Sequence, residues 1–141
     1  MTNAWHYAAL KQMEGIAGAL GKQDDVAFYA SESDAFKKRF IRSFFDVRKG
    51  YFTDGLAADT DHASLHGDMF PLAFDLVPAG KKQNVVDFIQ TRGMACSVYG
   101  SQFLMDALYE ANDAEYALHM LTKTDDRSWY NMIRVGSTIS L

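Results

Sequence analysis

Two histidines in the stretch DHASLH, His62 and His66, stand four residues apart, with Asp61 and Asp68 close by. On a helix this spacing would place both imidazoles on one face, where they could hold a zinc ion. A zinc site needs a third ligand with matching geometry, and the sequence has neither an HExxH glutamate nor a second cluster of histidines and cysteines. We therefore predict no metal site and favour a structural or substrate-facing role for the histidines.

A second group of interest is RSWYNMI, in which Trp129 and Tyr130 stand at a predicted helix start. The loop before it carries Asp125, Asp126 and Arg127. Sugar pockets use such groups, because an aromatic ring stacks on the apolar C–H face of a sugar while polar groups bind its hydroxyls. Aromatic residues at helix starts also pack into protein cores, so the pattern alone leaves both roles open.

Other catalytic chemistry has little support in the residue pattern. No GxSxG, phosphate-binding glycine loop or Cys/His pair suited to nucleophilic catalysis occurs. The single cysteine, Cys96, excludes an internal disulfide, and its apolar neighbours indicate a buried, inert thiol. The carboxylate pairs fall where helix caps and loops are expected, which explains them without chemistry. These pairs are Asp24-Asp25, Asp59/Asp61 and Asp125-Asp126.

The composition restricts the classes of partner. At 141 residues, 48% of them hydrophobic and 23% charged, the chain is one globular domain at most. A net charge of −4 argues against a nucleic-acid partner. No run approaches the roughly 18–20 apolar residues of a membrane span, and the N-terminus lacks the pattern of a signal peptide. We expect neither a nucleic-acid nor a membrane partner.

The elements that position these residues are predicted to be almost all helical. Helices joined by short loops, several of them apolar over much of their circumference, indicate an all-α, layered assembly of helical hairpins. No fixed 34- or 40-residue repeat supports a tetratricopeptide or armadillo array. Seven helices are predicted. The first covers Trp5 to Leu20 and ends before Gly21, the second is capped by Asp24 or Asp25 and ends near Asp46, and the third begins near Asp61. The fourth covers Lys81 to Thr91, the fifth covers Val98 to Glu110, the sixth follows Asn112-Asp113, and the seventh covers Ser128 to Arg134. The stretch RKGYFTDG predicts a turn with a short extended segment, and Ile139 and Leu141 alternate as in an extended strand.

Four blocks of the chain resemble, in order and spacing, the bacterial α-L-rhamnosidases of glycoside hydrolase family 78. They are FKKRFIRSFFDVRKGYFTDG, HASLHGDMFPLAFDLVP, YGSQFLMDALYEANDAEYALHML and DDRSWYNMIRVGSTISL. The resemblance implies an (α/α)6 barrel, and we expect residues 1–141 to form a partial toroid of this kind. It also implies an inverting glycosidase that hydrolyses terminal α-L-rhamnosides with a general acid and a general base, and without a metal or another cofactor.

The same resemblance implies that this chain lacks both catalytic carboxylates. The family's acid belongs to an Asp-Cys-Pro motif ahead of the first block, and this sequence has no Cys-Pro. The family's base follows a segment resembling Gly136-Ser-Thr-Ile-Ser-Leu141, so in this register it would be the next residue. We therefore expect these 141 residues to be inactive by themselves. Family members occur inside bacterial cells and outside the inner membrane, so the resemblance leaves the compartment open.

The resemblance also points to substrate-binding residues. His66, Tyr99 and Trp129 fall in matching blocks and are expected to face the sugar pocket. Arg127 stands where the family often has proline, and Leu141 where it often has tryptophan, which leaves the sugar preference open.

The residues also permit other functions. The main alternative is a non-catalytic helical-hairpin module that binds a protein or a glycan, and a weaker one is another toroidal sugar enzyme.

An incomplete ring would leave apolar faces uncovered at the Trp5/Leu10/Met13 side and at Ile139/Leu141. We therefore expect self-association.

Overall fold

The computed structural model describes residues 1–56 and 59–136. Within these ranges the chain forms helices joined by short loops and one antiparallel two-stranded hairpin. No helix in the described ranges combines the length and apolar character needed to cross a membrane. The elements are α1 (Thr2–Ala19), α2 (Gln23–Phe44), β1 (Phe45–Asp46), β2 (Tyr51–Phe52), α3 (Leu65–Ala73), α4 (Lys82–Arg92), α5 (Val98–Glu110), α6 (Ala114–Thr122) and α7 (Trp129–Arg134).

Consecutive helices pair into hairpins. Helix α1 packs mainly against α2, α3 packs against α4, and α5 packs against α6. Contacts between α1 and α3, and more extensive ones between α3 and α5, join the hairpins side by side, while α7 packs against α6. The predicted all-α assembly of hairpins is therefore confirmed. The predicted extended segment at Ile139 and Leu141 lies outside the described residues.

Helix α3 lies at the centre of the packing. Most of its residues are buried, and it contacts α1, α4, α5 and strand β2. On one side, Trp5 of α1 packs with Phe70 of α3 and Phe103 of α5, at centroid distances of 5.4 and 4.9 Å. The Phe70 and Phe103 rings are themselves 5.4 Å apart. Aromatic rings in such tilted pairs add directional attraction to the burial of their area, so this cluster fixes three helices against one another.

The start of α3 differs from the prediction. The helix begins at Leu65, after the N-cap residue Ser64, and not near Asp61. The reason is that residue 62 is engaged elsewhere: its carbonyl accepts a hydrogen bond of 2.9 Å from the backbone N–H of Asp54. His62 therefore lies in the loop before α3, and it does not share a helical face with His66. In the described ranges no three histidine, cysteine or acidic side chains form a group able to hold a metal ion.

A second difference concerns α2. Its N-cap is Lys22, which makes no side-chain capping bond, and Asp24 and Asp25 lie inside the first turn. Carboxylates at these positions interact favourably with the positive end of the helix dipole, so the acidic residues still stabilise the helix start. The prediction that one of them caps α2 was wrong, although the position of the helix was right.

A buried carboxyl group ties the β-hairpin to α3. Asp68 on α3 accepts a hydrogen bond of 2.9 Å from the backbone N–H of Phe52 through its Oδ1 atom. The side chain is fully buried, and its Oδ2 atom has no hydrogen-bond partner within the described part of the chain. Burial raises the pKa of Asp68 from 3.8 to about 8, the Phe52 N–H and Arg92 lower it, and Asp54 raises it further. The group is therefore protonated at neutral pH in the folded chain.

We expect Asp68→Asn to flatten the dependence of stability on pH. The folded chain keeps a proton that the unfolded chain releases above pH 3.8, so this group stabilises the fold fully below that pH. The contribution is lost as the pH rises towards about 8, by up to about 1.4 kcal/mol per pH unit. Urea unfolding at pH 5 and pH 8 should show that the variant is more stable than the parent at pH 8 by at least about 1 kcal/mol.

Asn is a suitable replacement because its carbonyl can still accept the Phe52 N–H bond. Asp126→Asn provides the matched control, since the Asp126 side chain is 95% exposed. Parallel stability curves for the parent and Asp68→Asn between pH 5 and pH 8 would contradict the assignment.

Candidate functional site

Three helices of the chain begin in the same way. Helices α3, α5 and α7 each follow a serine whose hydroxyl accepts a hydrogen bond from the backbone N–H three residues later. This N-cap satisfies one of the donors left free at a helix start. The pairs are Ser64 with Gly67 at 3.3 Å, Ser97 with Gly100 at 3.2 Å, and Ser128 with Asn131 at 3.0 Å. The predicted residues His66, Tyr99 and Trp129 all lie in these capped first turns.

Two arginines hold the segments before these helices side by side. Arg92, at the end of α4, donates a hydrogen bond of 3.0 Å from Nη2 to the carbonyl of Ala63, just before α3. Arg127, just before α7, donates one of 3.1 Å from Nε to the carbonyl of Met94, in the segment before α5. The chain from Arg92 runs directly into that segment. The three helix starts therefore form one continuous rim, which we call the capped rim (residues 62–66, 93–99 and 125–129).

A cleft of about 300 Å³ lies in the capped rim between the starts of α5 and α7. Trp129 supplies an aromatic wall, and Ser97, Ser101 and Ser128 supply hydroxyl groups. The other lining residues are Met94, Cys96, Val98, Asp126, Arg127 and Met132. An aromatic wall with several hydroxyl and charged groups suits a small polar ligand that also has an apolar face.

The charged and reactive groups of the cleft limit its chemistry. Burial raises the pKa of the Cys96 thiol, so this group stays protonated at neutral pH and is a poor nucleophile. Among the described residues, Asp126 is the carboxylate that lines the cleft. Its Oδ1 lies 3.7 Å from Nη2 of Arg134. Among the described residues the cleft therefore has one carboxylate, whereas an inverting glycosidase uses two.

The three residues predicted to bind substrate do not share one pocket. Trp129 is half-buried and lines the cleft. His66 lies beside the aromatic cluster instead, with its ring 6.1 Å from that of Phe70. Tyr99 is 89% exposed on α5, one turn before Phe103, and does not line the cleft. Because Phe70 and Phe103 are in contact, His66 and Tyr99 belong to one side of the rim, while Trp129 belongs to the other side of α5.

Arg92 and the serine caps were not singled out from the sequence, and Arg127 was noted there only as part of the polar loop before Trp129 and as a departure from the family pattern. The bonds of Arg92 and Arg127 to backbone carbonyls follow from tertiary contacts that no local pattern shows. The serine caps did leave a signal, because Ser64-Leu-His-Gly67 and Ser97-Val-Tyr-Gly100 are similar segments. Their spacing explains why no fixed repeat was found, since the caps at 64, 97 and 128 stand 33 and then 31 residues apart.

Comparison with known families identifies the class of protein. The whole chain, residues 1–141, matches the model of the bacterial α-L-rhamnosidase six-hairpin glycosidase domain. The chain belongs to this family, as the four sequence blocks predicted. A search of curated proteins finds no sequence relative.

A solved structure supports the same fold. The chain is similar to an α-L-rhamnosidase from Dictyoglumus thermophilum, with a TM-score of 0.76 and 21% sequence identity over 94% of this chain. The match spans 15% of that protein. At this level of identity the likeness shows the fold, and it confirms the predicted arrangement of helical hairpins.

We expect Arg127→Ala to loosen the cleft. The change removes the bond to the Met94 carbonyl, which holds the segments before α5 and α7 together. A hydrogen bond of this kind contributes about 0.5–1.5 kcal/mol, so the loss of global stability should be small. Trp129 should become more accessible to acrylamide, as measured by fluorescence quenching in a Trp5→Phe background.

Arg39→Ala is the matched control, because Arg39 is exposed on α2 and does not line the cleft. Equal quenching of Trp129 in the Arg127→Ala and Arg39→Ala proteins would show that Arg127 does not hold the cleft closed.

Proposed function

We propose that this chain is part of the catalytic domain of an inverting glycoside hydrolase that removes terminal α-L-rhamnose, and that residues 1–141 form one partial barrel domain. Family membership and the fold support a glycosidase-type domain. The specificity for rhamnose and the inversion at the anomeric carbon are properties of the family that we extend to this chain. In this proposal Trp129 contacts the sugar in the cleft, and His66 and Tyr99 contribute from the neighbouring side of the capped rim.

The observation that carries the proposal is the cleft beside Trp129. Its ≈ 300 Å³ lies at the lower end of ligand pockets, which is a suitable size for one sugar ring. The Trp129 ring can stack on the apolar face of that sugar, while Arg127 and the exposed Ser97 hydroxyl bind its hydroxyl groups. The Ser101 and Ser128 hydroxyls donate to backbone carbonyls of the protein instead. This arrangement fits a deoxy sugar, which combines a methyl group with several hydroxyls.

The proposal also accounts for what the cleft lacks. Inversion requires a general acid on one side of the scissile bond and a general base on the other, with the two carboxyl groups roughly 6.5–9.5 Å apart. Of the described residues, Asp126 alone brings a carboxylate to the cleft, and it is highly exposed. A general acid or base contributes about 10²–10⁴-fold to the rate, so a site without the pair should not turn over.

We expect the 141-residue protein to bind L-rhamnose weakly and not to hydrolyse rhamnosides. Affinity should be in the millimolar range, because a shallow site leaves much of the sugar in water. Saturation-transfer NMR with L-rhamnose measures binding, and release of the aryl group from an aryl α-L-rhamnoside measures hydrolysis at several pH values.

Trp129→Ala should abolish the saturation transfer, whereas Trp5→Phe, which changes the aromatic cluster away from the cleft, should retain it. Rhamnoside hydrolysis that co-purifies with the protein would show that the expectation of an inactive protein is wrong. Micromolar binding of rhamnose would instead favour the alternative of a complete, non-catalytic glycan-binding module.

We also propose that the chain associates with a second copy of itself. Two separate edges expose apolar side chains. On α1 and its C-cap residue these are Met13, Ile16 and Leu20, with exposed fractions of 41, 53 and 67%. On α6, α7 and the C-cap residue of α7 they are Leu118, Ile133 and Val135, with 57, 73 and 56%. In a ring of hairpins such edges face neighbouring hairpins, and a second copy can cover them in the same way.

Sedimentation velocity at 10–100 µM should show a dimer or a larger species, since each Å² of apolar area removed from water stabilises the contact by about 25 cal/mol. Ile133→Lys should shift the protein towards the monomer, because a charge would have to be buried in the contact. Gln102→Lys, at an exposed position of α5 outside both edges, is the control. A parent protein that stays monomeric at 100 µM would contradict the proposal.

A further inference from the structure

A second group of polar side chains occupies the capped rim just before α3. Asp54 accepts two bonds there, one from Nδ1 of His62 to Oδ2 at 2.5 Å and one from the Ser64 hydroxyl to Oδ1 at 2.7 Å. The backbone joins the same residues, because the Asp54 N–H donates to the His62 carbonyl at 2.9 Å. The His62 ring is thereby fixed by Asp54 through one of its two nitrogens.

The packing around Asp54 leaves room for this carboxylate. A Cβ atom at Gly67 would lie 2.7 Å from Asp54 Oδ1, closer than real Cβ contacts, so a larger residue at 67 would displace the carboxylate. Ser64 is at the same time the N-cap of α3. The Nδ1 side of the His62 imidazole is therefore held by Asp54, and Asp54 is itself held by Ser64 at the start of α3.

The other side of the imidazole is open to solvent. The His62 side chain is 76% exposed while its Nδ1 atom is bonded to Asp54, which is 32% exposed. When the neutral ring donates from Nδ1, its Nε2 atom is a hydrogen-bond acceptor. An acceptor that is fixed in orientation, exposed, and located on the capped rim can bind a hydroxyl group of a ligand that extends along this rim.

We propose that His62, oriented by Asp54, binds a second sugar unit of the glycan whose first unit lies in the Trp129 cleft. The contacts of the rim support an extended ligand. Arg92 bonds the segment before α3 to the start of the 93–99 segment, and Arg127 bonds that segment to the one before α7. The segments that carry His62 and Trp129 are therefore joined through residues 93–99. The substrate class is therefore an oligosaccharide and not a simple monoglycoside. This inference rests on the proposed function of the Trp129 cleft.

The test compares L-rhamnose with an α-linked L-rhamnose disaccharide, titrated into the 141-residue protein and followed by NMR. The indole N–H signal of Trp129 reports the cleft, and long-range ¹H–¹⁵N spectra report the Nε2 atom of His62. We expect both sugars to shift the Trp129 signal, and the disaccharide alone to shift His62 Nε2. The disaccharide should bind about three- to tenfold more tightly, as expected for one added hydrogen bond.

Two substitutions separate sugar binding from a purely structural role of His62. The Asn side chain in His62→Asn can still donate to Asp54 but has no group at the Nε2 position. It should lower disaccharide affinity to that of the monosaccharide and leave monosaccharide binding and thermal stability unchanged. His119→Asn, an equivalent change on α6 away from the rim, should leave both affinities unchanged.

The possible failures are distinguishable. If both sugars shift Trp129 equally, and His62→Asn has no effect on their affinities, the role of His62 is wrong and the Trp129 cleft stands. If neither sugar shifts Trp129 or His62, the proposed function fails and the inference fails with it.

Discussion

The structure depends on the burial of helix α3. This helix is only nine residues long, yet it packs against α1, α4, α5 and the β-hairpin, and most of its residues are buried. A helix enclosed on several sides has to be apolar around most of its circumference, and its free terminal N–H groups have to be satisfied by the protein itself. Leu65, Met69, Phe70 and Leu72 meet the first requirement, and the Ser64 cap contributes to the second.

The location of the candidate site follows from the same constraint. Helices that are enclosed along their length expose polar groups mainly at their ends, so binding groups collect at the helix starts. Serine caps fix these starts, and the bonds from Arg92 and Arg127 to backbone carbonyls align them. The residues that could contact a ligand, His62 and Trp129, lie in or directly after the segments held in this way. The rigidity of the rim is therefore a consequence of how the inner helices are capped.

Much of this arrangement could be predicted from the sequence wherever the signal was local. Helix α5 has the predicted bounds, Val98–Glu110, because its apolar spacing is regular and the Asn112-Asp113 turn separates it from α6. Asp113 caps α6 and Ser128 caps α7, as short polar residues at helix starts often do. The start of α3 was predicted too early because the competing interaction is not local: Asp54, eight residues before His62, holds that residue in the loop.

The candidate site was predictable only in part, for a related reason. Trp129 could be identified because an aromatic residue after a polar, charged loop is a recognisable pattern, and the structure places it in a cleft. The role of Asp68 could not be inferred in this way. In the sequence Asp68 is one more acidic residue near two histidines, whereas in the fold it is the buried acceptor for the Phe52 N–H. Leaving that N–H without an acceptor in the core would cost about 1–3 kcal/mol. A carboxyl that stays protonated satisfies this donor without burying a charge, which gives Asp68 a structural role in joining the hairpin to α3.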